Sequence, residues 1–169
     1  MNQTYNAEAL RFVRCARRVN YFQRTRALVC DDYWQFVIVY KRITGEYPAM
    51  YVNEKPDRCD EVDRLGVTTC EDQLTNAVSD ASGVVVERPF DFIWLNYAEL
   101  ADVKLTLKQI KKYYMMDRVL VCVTVKLKNQ QQTIPALLEV KRALGREFRL
   151  RIEQYEARGS LYLYLECSR

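Results

Sequence analysis

Charge is sorted along this 169-residue chain, and the sorting limits how the chain can fold. Residues 1–52 carry eight Lys/Arg against four Asp/Glu, residues 53–102 four against twelve, and residues 103–169 fourteen against six. A compact body made from such a chain either presents separate acidic and basic surfaces or lays its acidic middle onto its basic flanks, because like charges repel at close range. Internal neutralisation is the plainer outcome, since exposed ion pairs contribute little net energy.

A chain of this length can bury roughly two thirds of the surface it exposes when unfolded, enough to fold without staples. Hydrophobic residues at 49% and charged residues at 28%, with five Gly and four Pro, argue against a disordered or fibrous chain. The expected organisation is one domain over 1–169, or two small halves, 1–52 and 84–169, joined by an acidic connector at 53–83. No apolar run approaches the roughly 18 residues of a membrane span, and the first residues lack the charged and apolar regions of a secretory signal. The expected location is therefore the cytoplasm or nucleus, with no membrane association. Cys15, Cys30, Cys59, Cys70, Cys122 and Cys167 are expected as reduced thiols there.

Histidine is absent, which removes the commonest general base and metal ligand and every nucleophile–histidine pair. The five glycines stand alone at 45, 66, 83, 145 and 159, so there is no glycine-rich phosphate cradle. Cys59 and Cys70 belong to no Cys-x-x-Cys pair, and a zinc site would need four scattered thiolates. Carboxylates flank Cys30 at Asp31 and Asp32, which disfavours its thiolate. The expectation is no cofactor, no metal and no catalytic residue.

Periodicity predicts an amphipathic helix over residues 6–24, with Ala9, Phe12, Cys15, Ala16, Val19 and Phe22 on its apolar side. Two strands, 27–30 and 33–43, are then expected around an Asp31-Asp32 turn, with a third at 47–52. Helical spacing fits residues 34–42 as well. A short helix is expected near Thr69, strand segments at 84–86 and 90–95, and a helix within 96–116. A strand at 119–127, a helix from Thr133 to Gly145 with Pro135 in its first turn, and a hairpin over 148–167 complete the chain. The order α-β-β-β, acidic connector, β-α-β-α-β-β predicts an α+β fold: a mixed, mostly antiparallel sheet with helices packed on one face.

The first predicted helix gathers Arg11, Arg14, Arg17, Arg18 and Arg24, with Tyr21 among them, and the helix within 96–116 gathers Lys104, Lys108, Lys111 and Lys112. Such faces can follow a phosphate backbone, although basic helix faces are often merely solvated. Glu139-Val140-Lys141 matches the Glu-x-Lys element of metal-dependent nucleases, with Asp117 as a second carboxylate, but its helical spacing is wrong for a strand-borne site. The function expected from these residues is that of a non-catalytic accessory or inhibitory protein, docking a macromolecular partner through segregated charge. A protein partner is favoured, because the acidic middle repels a long polyanion; DNA or RNA binding is the alternative, and a nuclease the third reading.

Overall fold

The computed structural model describes residues 26–72, 90–96, 100–113, 115–157 and 159–169. In chain order these form β1 (Ala27–Cys30), α1 (Phe36–Thr44), β2 (Met50–Asn53), α2 (Pro56–Asp63), β3 (Thr69–Glu71), β4 (Phe90–Asn96) and α3 (Leu100–Tyr113). They continue with β5 (Met115–Lys126), a 3₁₀ turn (Gln130–Gln132), α4 (Thr133–Leu144), β6 (Arg149–Ala157) and β7 (Ser160–Ser168).

The strands make one sheet of order β3-β2-β1-β4-β5-β7-β6. β1 runs parallel to both β2 and β4, and the β2–β3 and β4–β5 pairs are parallel as well. Only β7 reverses, pairing antiparallel with β5 and with β6. The central strands are apolar on both faces, as a parallel sheet covered on both sides requires. On one face Leu28, Ile93, Val121 and Val123 pack against Val103 and Leu107 of α3 and Val140 and Leu144 of α4. On the other, Val29, Phe92, Trp94 and Cys122 pack against Phe36, Val37 and Tyr40 of α1 and Cys59 and Val62 of α2.

A mixed sheet with helices was expected, and it is found. Two finer expectations are corrected: most strand pairings are parallel, and helices cover both faces of the sheet. Both corrections trace to residues 33–43, read as the second strand of a hairpin but folded as α1, which makes the β1-to-β2 connection a crossover. Aromatic and β-branched residues favour strand locally, yet Phe36, Val37 and Tyr40 form one buried helical stripe while Lys41 and Arg42 face solvent. Packing on the sheet therefore outweighs local propensity. Gly45, at φ 86°, ends α1 in the left-handed region, and its N–H donates to the Lys41 carbonyl.

The acidic stretch also holds more structure than its composition implied. Pro56 opens α2, which buries only Cys59 and Val62, and the helix expected near Thr69 is instead the short strand β3. β4, α3, β5, α4 and the β6–β7 hairpin fall close to their expected positions, with Gly159 at φ 77° in the hairpin turn. The helix expected over 6–24 and the strand segment at 84–86 lie outside the described residues. No helix among the described residues is long and apolar enough to cross a membrane.

Candidate functional site

From β1 the chain moves outward to β2 and β3, then returns to place β4 on the other side of β1. That reversal is a topological switch point, and by the general rule for open parallel sheets the carboxyl ends of β1 and β4 beside it form the crevice where a ligand would bind. Three strand ends supply it: Asp31 and Asp32 after β1, Asn53 and Glu54 at the end of β2, and Asn96 closing β4.

Asp31 is the hub of this edge. One carboxylate oxygen accepts from Trp94 Nε1 at 2.7 Å, and the other accepts from Asn96 Nδ2 at 3.0 Å and from the Tyr33 N–H at 2.9 Å. Its backbone carbonyl accepts from the Tyr51 hydroxyl and from Asn53 Nδ2. The side chain is 1% exposed. Burial pushes its carboxyl up to about 7, against the three hydrogen bonds it accepts and with a further upward push from the Asp32 charge. The Trp94 ring stacks on Phe36 with centroids 4.1 Å apart, which fixes the indole that holds Asp31.

Asp32, in contrast, is exposed. Partial desolvation raises its carboxyl, but Lys55 at 3.0 Å and the amide of Asn53 at 3.1 Å outweigh it, and the net shift is downward. Asn53 in turn accepts from the Lys55 N–H, so the ends of β1 and β2 are tied into one polar network. Glu54 stands beside it, exposed.

This donor set discriminates between ligand classes. A pyrophosphate needs glycines that let backbone amides approach it at the turn after β1. Here Asp31, Asp32, Tyr33, Trp34 and Gln35 fill that turn, and two carboxylates precede α1 where an anion would sit. A cationic ligand without phosphate, bearing hydroxyls for Glu54, suits the same residues.

None of the residues singled out from sequence is among those described at this edge. Arg11, Arg14, Arg17, Arg18, Tyr21 and Arg24 are outside the described residues, as is the side chain of Lys112. Lys104 pairs with Glu139 at 2.8 Å and Lys111 with Glu147 at 3.4 Å, while Lys108 is exposed on α3. Glu139 lies on α4 and also pairs with Arg142; Asp117 pairs with Arg169, so the two carboxylates of the nuclease reading are engaged separately. The crevice residues were missed because Asp31-Asp32 resembles a hairpin turn. A signal was nevertheless present: a short apolar strand, a polar turn, a helix, and an acidic residue, Glu54, about 20 positions further on.

No protein-family model matches the chain, and no curated protein is similar to it. Solved structures do match. YhhF of Escherichia coli, which is assigned as a methyltransferase, superposes with a TM-score of 0.68 at 11% identity over 97% of this chain and 84% of its own. Magnesium protoporphyrin IX methyltransferase of Synechocystis, solved with S-adenosylhomocysteine, gives 0.67 at 9% identity over 98% and 83%. The N-methyltransferase NodS of Bradyrhizobium japonicum, in complex with the same nucleoside, gives 0.66 at 7% identity over 99% and 87%. The chain therefore has the Rossmann-like fold of methyltransferases. This finding overturns the expectation of a non-catalytic accessory or inhibitory protein: the solved structures that share its fold are methyltransferases.

Proposed function

We propose that this protein is a methyltransferase that takes its methyl group from S-adenosylmethionine held at the carboxyl ends of β1, β2 and β4. The observation that carries this reading is the sheet order, β3-β2-β1-β4-β5-β7-β6 with β7 alone reversed, shared in overall fold with methyltransferases over nearly the whole chain. The charge of the crevice supports it further. S-adenosylmethionine brings a sulfonium cation and no phosphate, which fits carboxylates at 31, 32 and 54 and a turn without glycine.

When bound, the sulfonium supplies an electrophilic methyl group; the chain's residues hold and orient it. Glu54 would accept hydrogen bonds from the ribose hydroxyls, the task of an acidic residue beyond the second strand. Asp31, held by Trp94 and Asn96, would in its ionised form favour a cation nearby. Lys55 keeps Asp32 ionised and fixes the position of its side chain.

Equilibrium dialysis with S-adenosylmethionine tests the reading. Saturable binding is expected, weakened about tenfold by Glu54→Ala, a loss of about 1.4 kcal/mol. Because Glu54 is exposed, that variant keeps the fold. Absence of binding, or wild-type binding by both Glu54→Ala and Asp31→Asn, would contradict it.

A further inference from the structure

The cations of α3 and α4 meet in a feature that the crevice does not use. An open groove of about 1510 Å³ runs between these helices and the start of β6. Lys104, Lys108 and Lys111 line it from α3, and Lys141, Arg142 and Arg146 from the far half of α4 and the residues after it. Arg169 closes one end, its guanidinium 4.8 Å from the centre of the Phe148 ring. Among the described residues Glu147 is the one carboxylate side chain that lines the groove, and Glu139 pairs with Lys104 and Arg142 of its walls.

We propose that this groove is a track for the phosphodiester backbone of single-stranded nucleic acid. The proposal rests on the methyltransferase reading and names its substrate class. Spacing is the first argument. Positions 104, 108 and 111 follow one another on one face of α3 at about 5–6 Å per step, so their charges form a row rather than a cluster. A row matches a line of phosphates; a single phosphate or carboxylate needs cations that converge. Arginines along the second wall add forked hydrogen bonds suited to phosphate oxygens.

Local pairing does not use up this charge. Glu139 and Glu147 engage Lys104, Arg142 and Lys111, whereas Lys108, Lys141 and Arg146 have no carboxylate partner among the described residues. Helix-end electrostatics can account for Lys141 and Arg142, which lie in the last turn of α4. They do not account for Lys104 and Lys108 in the body of α3. Leu138, 46% exposed, with Leu150 and Ile152, supplies an apolar wall for sugars and bases. A concave track of this kind fits a strand better than a flat lipid surface does.

The groove lies toward the other edge of the sheet from the crevice, since Arg149 of β6 and Ser168 of β7 register with Arg118 near the start of β5, whereas Asn96 registers with Thr124 near its end. Asn96 ends β4 at the crevice and α3 begins at Leu100, so the Lys104 end of the row lies nearest the crevice.

Fluorescence anisotropy with labelled oligo-U and oligo-dT of about 20 nucleotides tests the proposal, between about 50 and 200 mM salt. Lys108→Glu, Lys141→Glu and Arg146→Glu are combined in one variant; all three are exposed, and a thermal melt checks its fold. Binding of either oligonucleotide is expected, reduced at least about tenfold in the variant, with the log–log salt slope shallower by about 2 for three lost phosphate contacts. A preference between the two oligonucleotides identifies RNA or DNA as the natural ligand. The proposal fails if neither binds, if the triple variant binds as wild type does, or if polyglutamate or phosphatidylserine vesicles compete equally well. S-adenosylhomocysteine binding is measured on the same proteins. Oligonucleotide binding without nucleoside binding would sink the methyltransferase reading and leave the track; nucleoside binding without oligonucleotide binding would do the reverse.

Discussion

Burial and hydrogen bonding pull the Asp31 carboxyl in opposite directions, and burial prevails, raising it to about 7. The unfolded chain releases this proton near pH 4. Between about pH 4 and 7 the folded protein therefore holds a proton that the unfolded chain has lost, and stability falls as pH rises, by at most about 1.4 kcal/mol per pH unit. Asp91, raised to about 6 by burial against the hydrogen bond from the Arg26 N–H, acts with the same sign over a narrower window. Melting temperature should thus decline from pH 5 to 8, and the decline should flatten in Asp31→Asn; a melting temperature that rises over this range would contradict the assignment. Trp94→Phe keeps a ring against Phe36 but removes the donor to Asp31. Urea titration should show it losing about 1–3 kcal/mol at pH 8, and less at pH 5 where the carboxyl is protonated.

α1 shows where an element could and could not be read from the chain. Its Phe36, Val37, Tyr40 stripe fits helix spacing, but its aromatic and β-branched composition favours strand, and only the sheet beneath it decides between them. α4 needed no such arbitration, because its boundaries agree with its pattern, and β5 is the expected strand extended back four residues to Met115. The parallel pairing was hidden for the same reason: with α1 read as a strand, no crossover remained to connect β1 with β2. Crevice residues were hidden too, since Asp31, Asn53 and Asn96 are far apart in sequence and meet only through strand order. Two substitutions probe elements directly. Gly45→Ala should cost about 1–2 kcal/mol from left-handed strain alone, because nothing lies within 4 Å of the added carbon, and Gly45→Asn should cost less. Leu107→Ala, in α3 at full burial, should cost about 2–5 kcal/mol by denaturant titration, and a loss below 1 kcal/mol would place α3 off the sheet.

At the scale of the whole molecule, the described residues put acidic and basic helices on opposite faces of the sheet. α2, with Asp57, Asp60 and Asp63 exposed, packs on one side of the sheet, and the basic groove of α3 and α4 lies on the other. Asp57 and Glu61 pair with Arg58 and Arg64 next to them, while Lys104, Lys111 and Arg142 pair with Glu139 and Glu147 across the sheet from α2. Among the described residues the acidic and basic stretches thus lie on different faces of the sheet. At the crevice the charge of the proposed cofactor gives a whole-site prediction. Deprotonation of Asp31 favours the cationic sulfonium over its neutral demethylated product. S-adenosylmethionine should therefore bind more tightly at pH 8 than at pH 6 by calorimetry, and S-adenosylhomocysteine should change less. The most direct test of the site itself is amide hydrogen exchange with and without S-adenosylhomocysteine. New protection is expected at residues 31–36, 53–55 and 94–96; protection confined to α3 and α4, or none, would contradict the account.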